Sequence, residues 1–248
     1  MMPAWFHRLG SPKGFYSMTT PWLPWLAAIS LLLLVVGSVW GLGYAPADAK
    51  QGNSFRIIYI HVPSAFLALA GYYIMALAGA IGLVWRMKLA FMVMKSAAPL
   101  GAALTLISLV SGALWGKPTW GTYWVWDARI TSMLVLFFLY LGVIALHYAY
   151  SNGEAAGKAA AVLALVGTAN IPIIYKSVDW WYTLHQPATI KLTEAPSMHP
   201  SMFQPLVVMI AGFYCLYALV LILNTRAEIL HRERGSHWVM AWVRGDRP

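Results

Sequence analysis

The sequence predicts an all-α integral membrane protein with six transmembrane helices. Hydrophobic residues make up 60% of the 248 residues and charged residues only 10%, and the mean hydropathy is +0.64. A chain with so few polar groups cannot cover the surface of a water-soluble globule. The charged residues also leave six long gaps, and a helix of about 20 apolar residues crosses the hydrocarbon core of a bilayer.

Each of the six gaps is a candidate span. They cover residues 14–47, 57–85, 96–116, 130–153, 159–175 and 195–225. Five are comfortably long, whereas the fifth contains Asn170 and Pro172 and lies near the lower limit of about 17 residues for a span. The gaps lack the alternating pattern of a membrane strand, so helices are expected throughout. The first gap has no small-residue cleavage site, which predicts a retained anchor.

The distribution of lysine and arginine predicts the orientation. Eleven of the 17 Lys and Arg residues fall on the side of both termini; with four acidic residues on each side, the two sides net +7 and +2, which add to +9. The positive-inside rule therefore places both termini in the cytoplasm. Anionic lipid at the inner leaflet accounts for the net positive charge, so no nucleic-acid partner is needed to explain it. We expect one polytopic membrane domain over residues 1–248 with a basic cytoplasmic tail at 225–248.

Residues 115–131, between the third and fourth spans, read WGKPTWGTYWVWDARIT. This signature segment contains four tryptophans and two charged side chains of interest, Trp115, Trp120, Trp124, Trp126, Asp127 and Arg129. Aromatic pockets favour flat, apolar ligands, and the nearby charges suit an anionic one. An aromatic belt at the membrane interface is the alternative explanation for the tryptophans. Asp127 and Arg129 could likewise form a structural pair at a helix start.

Two histidines are predicted to share the outer face with the signature segment. His61 precedes Pro63 at the start of the second span, and His185 lies in the aromatic stretch 179–187 of the last outer loop. Two neutral imidazoles on opposite sides of a macrocycle are a known way to hold haem iron. Each histidine could instead be an interfacial residue bonded to backbone, and His199 competes with His185 for the second position.

Other residues refine this hypothesis. Arg56 and Arg129 are on the same predicted side and could receive haem propionates. His147 lies about 25 Å deeper at 1.5 Å per helical residue and cannot bind the same iron. The only cysteine, Cys215, falls in the sixth gap, and no Cys-x-x-Cys-His motif is present for covalent haem attachment. The middle of the spans carries no charged residue, which disfavours a proton-coupled carrier or channel.

The segment 115–131 resembles the tryptophan-rich WWD signature of haem-handling proteins of cytochrome c maturation. The six spans together with the segments 56–63, 170–174 and 180–186 are similar to the CcmC family, the haem exporter proteins C. Two positions depart mildly from the family pattern, because Tyr123 stands where tryptophan is common and Ile130 where leucine is common.

The resemblance implies that this bacterial inner-membrane protein binds haem b non-covalently at the periplasmic face. The axial iron ligands map onto His61 and His185 above the aromatic platform. The implied activity is delivery to a periplasmic haem chaperone of the CcmE type, which is haem transport for cytochrome c-type biogenesis and not enzyme catalysis. The implied membrane complex also contains a small single-span subunit (CcmD type) and ABC transporter subunits (CcmA and CcmB types).

Two other function classes stay open at this point. A haem-transporting permease subunit of an ABC complex would need a substrate path through the bundle, yet the spans offer little polar lining beyond Asn170 and scattered Ser or Thr. A membrane b-type electron-transfer cytochrome would usually carry ligands at both depths, and the inner side offers only His147. Whether the purified chain carries haem at all separates a haem protein from a permease.

Overall fold

The computed structural model describes residues 10–186 and 196–244, and helices dominate both ranges. The α-helices are α1 Pro12–Thr19, α2 Leu23–Ser38, α3 Ile58–Trp85, α4 Lys88–Trp120, α5 Ala128–Ala149, α6 Gly153–Gly167, α7 Asn170–Trp180, α8 Pro200–Arg232 and α9 His237–Arg244. Short 3-10 helices at Thr20–Trp22 and Asn53–Ile57 and a π-helical turn at Val39–Tyr44 extend three of them.

The predicted number of spans is confirmed. Six helical segments in the described ranges are long and apolar enough to cross a membrane: Pro12–Tyr44, Asn53–Trp85, Lys88–Trp120, Ala128–Ala149, Gly153–Trp180 and Pro200–Arg232. They extend beyond the predicted gaps at several ends, because helices continue into the polar interface where lysine and arginine side chains reach water.

The helix ends follow local sequence signals. Asp127 is the N-cap of α5, and its carboxylate accepts a 2.8 Å hydrogen bond from the Ile130 amide. Asn152 caps α6 in the same way. Gly121 ends α4 with φ of 80°, a left-handed conformation that glycine adopts without steric cost. The signature segment therefore turns sharply between two fixed helices.

The fifth span is broken into α6 and α7 at residues 168–169. Pro172 explains the break, because proline has no amide donor and its ring clashes with the carbonyl four residues earlier. The Asn170 side chain donates a 2.8 Å hydrogen bond to the Ser132 carbonyl and ties α7 to α5. As a result α6 packs against α3 and α5, whereas α7 packs mainly against α5.

The core of the bundle lies where α3, α4, α5 and α6 meet, and α2 packs outside it against α8. The buried Tyr140 hydroxyl donates a 2.8 Å hydrogen bond to the Ala68 carbonyl. A Cβ at Gly101 would lie 2.1 Å from Cζ of Tyr140, so glycine is needed for this close approach. This core holds α3 and α4 in a fixed register.

The two ends of the bundle differ. The tail end carries α9, whose Trp242 packs edge-on against Tyr16 at 5.4 Å, and Arg226 lies 3.6 Å above the same tyrosine ring. Residues 245–248 of the predicted tail lie outside the described residues. The opposite end, called the signature end below, brings together residues 53–57, 121–127 and 181–186.

Candidate functional site

A cavity of about 700 Å³ opens at the signature end. Residues of α3, α4, α5, α7 and α8 line it together with the segment that follows α7, and most of its surface is apolar. Its polar side chains include those of His61, Thr119, Arg129, Lys176, His185 and Gln186. This size and this mixture are typical of sites for small organic ligands or cofactors.

His61 and His185 face each other in this cavity. The centres of their rings are 6.3 Å apart and the ring planes are inclined by 33°. A shared metal ion requires two metal–nitrogen bonds of about 2 Å and about 1 Å from each nitrogen to its ring centre, or about 6 Å in total. The spacing therefore fits two imidazoles that bind one iron from opposite sides.

Hydrogen bonds at Nδ1 of both rings leave Nε2 available. The Ser111 hydroxyl donates to the Ile107 carbonyl at 2.6 Å, so at 3.0 Å from His61 Nδ1 it acts as the acceptor. Nδ1 of His185 lies 3.1 Å from the Gln186 carbonyl, which can only accept. Both rings are thereby fixed as the Nδ1–H tautomer, with the Nε2 lone pair free for a metal.

The neutral form of His185 is favoured electrostatically. Burial, followed by the positive charge of Arg129, lowers the pKa of His185 from 6.5 to about 4, against smaller opposing effects of the Gln186 carbonyl and Asp127. At neutral pH the imidazole is therefore unprotonated. That is the state in which it can bind a metal.

Trp115 and Trp120 flank the two histidines. The Trp115 ring is edge-on to His61 at 5.7 Å, and its Nε1–H donates to Gln51 Oε1 at 2.6 Å. The Trp120 ring lies 5.9 Å from His185 with a 57° inclination. Each of these two rings thus packs beside one of the two imidazoles.

Trp124 and Trp126 occupy different positions. Trp124 lines the cavity, and its buried Nε1–H has no acceptor among the described residues. Trp126 packs edge-on against Trp124 at 5.4 Å but is 74% exposed and does not line the cavity. Trp124 thus contributes to the cavity lining a ring whose donor the described residues leave unpaired.

Of the three charged residues predicted at the site, only one lines the cavity. Arg129 lines the cavity. Arg56 instead donates 2.8 Å hydrogen bonds to the carbonyls of Leu42 and Ala45 and lies outside the cavity lining. Asp127 also lies outside the lining, and its carboxylate is bonded to Ile130 and to the Thr183 hydroxyl. Arg56 and Asp127 therefore hold the protein around the cavity together.

The other candidate histidines do not line this cavity. The ring of His199 caps α8, where Nδ1 lies 2.8 Å from the Ser201 hydroxyl. His147 lines a separate cavity of about 260 Å³ together with Lys95 and Glu228. The structure thus pairs His61 with His185 and not with His199.

Three residues of the site were not predicted from the sequence: Ser111, Gln51 and Lys176. Ser111 could be recognised only once α4 packs against α3, and Gln51 only once the loop before α3 reaches Trp115. Lys176 lines the cavity one turn of helix before Asp179, with which it forms a 3.0 Å ion pair. Its position so close to an apolar span was the available signal, but it did not distinguish a site residue from an interfacial lysine.

Comparison with known proteins decides the family. Residues 5–240 match the family model described as Heme exporter protein C. The chain belongs to the haem exporter protein C family. It is 49% identical over 233 residues to Heme exporter protein C of Escherichia coli (strain K12), covering 94% of each chain. It is 46% identical to that of Haemophilus influenzae, covering 96% of each.

The similarity extends to a mitochondrial relative. A putative cytochrome c biosynthesis ccmC-like mitochondrial protein of Marchantia polymorpha is 44% identical over 78% of this chain and 80% of its own length. Family membership and the six spans make the chain a multi-pass bacterial inner-membrane protein with a role in haem delivery for cytochrome c biogenesis. Its family names a delivery component of the cytochrome c maturation system rather than an enzyme.

Proposed function

We propose that this protein binds haem b non-covalently between His61 and His185 at the periplasmic face and presents it to a periplasmic haem chaperone. The observation that carries the proposal is the pair of imidazoles 6.3 Å apart across a cavity of about 700 Å³. The free Nε2 positions of the two histidines would bind the haem iron, and the apolar lining would bury the macrocycle.

The haem carboxylates are expected near the two basic side chains of the cavity, Arg129 and Lys176. Arg129 and Lys176 line it, and the Trp124 Nε1–H adds a donor without an acceptor among the described residues. Arg56 was predicted to share this role, but both of its terminal nitrogens are bonded to backbone carbonyls. Arg129→Gln should therefore weaken haem retention more than Arg56→Gln, whose larger effect should be on thermal stability.

The direct test is the visible spectrum of the detergent-purified protein. We expect a low-spin haem spectrum in the parent, and a high-spin spectrum or no haem in His61→Ala and in His185→Ala. His199→Ala is the matched control and should keep the low-spin spectrum, because its ring caps α8 and does not line the cavity. A parent without haem, or one whose spectrum depends on His199, would overturn the proposal.

The orientation can be tested by cysteine labelling. Tyr182 is 90% exposed at the signature end, and Ser151 is exposed at the tail end. In cells, a membrane-impermeant maleimide should label Tyr182→Cys from the periplasm and should not label Ser151→Cys. The reverse pattern would place the cavity at the cytoplasmic face and would exclude periplasmic presentation. The parent, with only Cys215, gives the background.

Presentation can be measured separately from binding. When the protein is co-expressed with a chaperone of the CcmE type, the parent should yield chaperone with covalently joined haem, and His61→Ala should not. Two further partner classes belong to this proposal, a small single-span subunit and the subunits of an ABC transporter. If the chaperone acquired haem equally with His61→Ala, the cavity would not be the source of the delivered haem.

A further inference from the structure

We propose that Thr183 and Asp127 form a latch that positions His185 for the iron, so that both are positioning residues and not haem contacts. This inference rests on the proposed function, because it assigns the support of one of the two ligands. Neither residue lines the cavity.

His185 does not lie on a helix. Helix α7 ends at Trp180, and residues 181–186 form an irregular segment. An imidazole on such a segment loses more conformational freedom on binding than one on a packed helix. A second set of interactions must therefore hold His185 at its position opposite His61.

The Thr183 hydroxyl supplies that interaction. It accepts a 3.1 Å hydrogen bond from the His185 backbone amide and donates to Oδ2 of Asp127. A hydroxyl group can make both bonds at once because it has one proton and two lone pairs. The same residue thus closes a tight local turn at His185 and connects that turn to the signature segment.

Asp127 makes a rigid anchor for the latch. Its other carboxylate oxygen accepts the Ile130 amide at the start of α5, and the residue is only 9% exposed. Hydrogen bonds to a buried carboxylate are stronger than those between neutral groups. The position of α5 is thereby transmitted through Asp127 and Thr183 to the backbone of His185.

The position of Asp127 outside the cavity lining suits its role as a positioning residue. Haem carries carboxylates, so a carboxylate of Asp127 inside the cavity would repel the ligand. Because the carboxylate of Asp127 is bonded to Thr183 instead, it can order the segment around His185 without contacting haem. The structure thus gives the Asp of the signature segment a task distinct from that of the tryptophans.

The haem-free protein provides the first test. Thr183→Val keeps the shape of the side chain and removes both hydrogen bonds, whereas Thr183→Ser keeps the hydroxyl. Hydrogen–deuterium exchange of peptides covering residues 181–186 should become roughly tenfold faster in Thr183→Val and stay close to the parent in Thr183→Ser. Peptides from the core of α4 serve as the internal control and should not change.

The haem-loaded protein provides the second test. Thr183→Val should give a mixed spectrum with a high-spin component, and added free imidazole should restore the low-spin form by replacing the detached His185. Thr183→Ser should remain low-spin. Unchanged exchange together with a fully low-spin spectrum in Thr183→Val would overturn the latch while leaving the haem site intact; a haem-free parent would instead overturn the proposed function.

Discussion

His61 and His185 face the same cavity from supports of different kinds. His61 lies on α3, and its ring is held by Ser111 of the adjacent helix α4 and by close contact with Gly112. His185 lies on an irregular segment that depends on Thr183 and on its own neighbour Gln186. Packed helices open with a large part of the global unfolding free energy, whereas irregular segments open at lower cost.

This difference suggests a division of labour between the two ligands. The ligand on the helices would keep its position throughout haem binding and transfer, while the one on the segment would be released first. A site that must release haem benefits if one of the two histidines lies on a segment that opens at low free-energy cost. Variants on the two sides of the cavity test this contrast.

Gly112→Leu should remove nearly all bound haem. A Cβ at this position would already lie 3.0 Å from Cε1 of His61, and a longer side chain must displace the ring. Because the helices on this side cannot adjust easily, we expect more than a tenfold fall in haem content per protein, measured by absorbance. Gly43→Leu is the control, since its Cβ would meet open space. Normal haem content in Gly112→Leu would show that the His61 side adapts as readily as the other.

Asp127→Ser should affect only the His185 side. Serine keeps the N-cap of α5 but is too short to reach Thr183, so thermal stability should change little while a high-spin haem component appears. Asp127→Ala removes both functions and should also cost about 1 kcal/mol of stability. Spectra and thermal unfolding of the two variants are compared. A spectrum that changes only in Asp127→Ala would attribute the effect to the helix cap.

Ser111→Ala should weaken the His61 side without detaching the ligand. The variant removes the acceptor for the Nδ1–H of His61, at a cost of about 1 kcal/mol for a buried hydrogen bond. The haem should stay low-spin, with several-fold weaker affinity in a titration of haem-free protein. Ser30→Ala is a matched control, because Ser30 is also buried and bonded to a carbonyl of its own helix. A high-spin Ser111→Ala would contradict the greater rigidity of this side.

A smaller, pH-dependent effect is expected from His185 itself. Its folded-state pKa of about 4 lies below the ordinary 6.5, so the unfolded chain binds the extra proton first as the pH falls. The contribution to stability is complete above pH 6.5 and is lost between pH 6.5 and 4. Between pH 6.5 and 4 the haem-free parent should therefore lose more thermal stability than His185→Gln, whose side chain does not bind the extra proton. Parallel curves would contradict the lowered pKa of His185.

Much of the architecture could be predicted from the chain because hydrophobic runs and helix caps are local. The six spans, the weakness of the fifth at Asn170 and Pro172, and the start of α5 at Asp127 all follow from residues close in sequence. The pairing of His61 with His185 was expected on chemical grounds, and the two rings lie together. The orientation of the bundle remains a prediction from the positive-inside rule.

The roles of individual side chains were less predictable. Arg56 was predicted to contact a propionate, yet the backbone carbonyls of Leu42 and Ala45, at the end of the first span, accept its hydrogen bonds. Trp126 belongs to the signature segment but is exposed and does not line the cavity. Composition places such residues at one end of the bundle, but it does not determine which of them face inward.

The sequence by itself determined that this is a six-span helical membrane protein with aromatic and histidine residues concentrated at one end. Apolar length and capping are properties of short segments, and they act before the helices meet. Only the tertiary structure decided which nitrogen of His61 is free, which residue holds His185, and which charges enter the cavity. Those answers depend on hydrogen bonds between residues as far apart as Asp127 and Thr183, and such contacts exist only once the helices have packed.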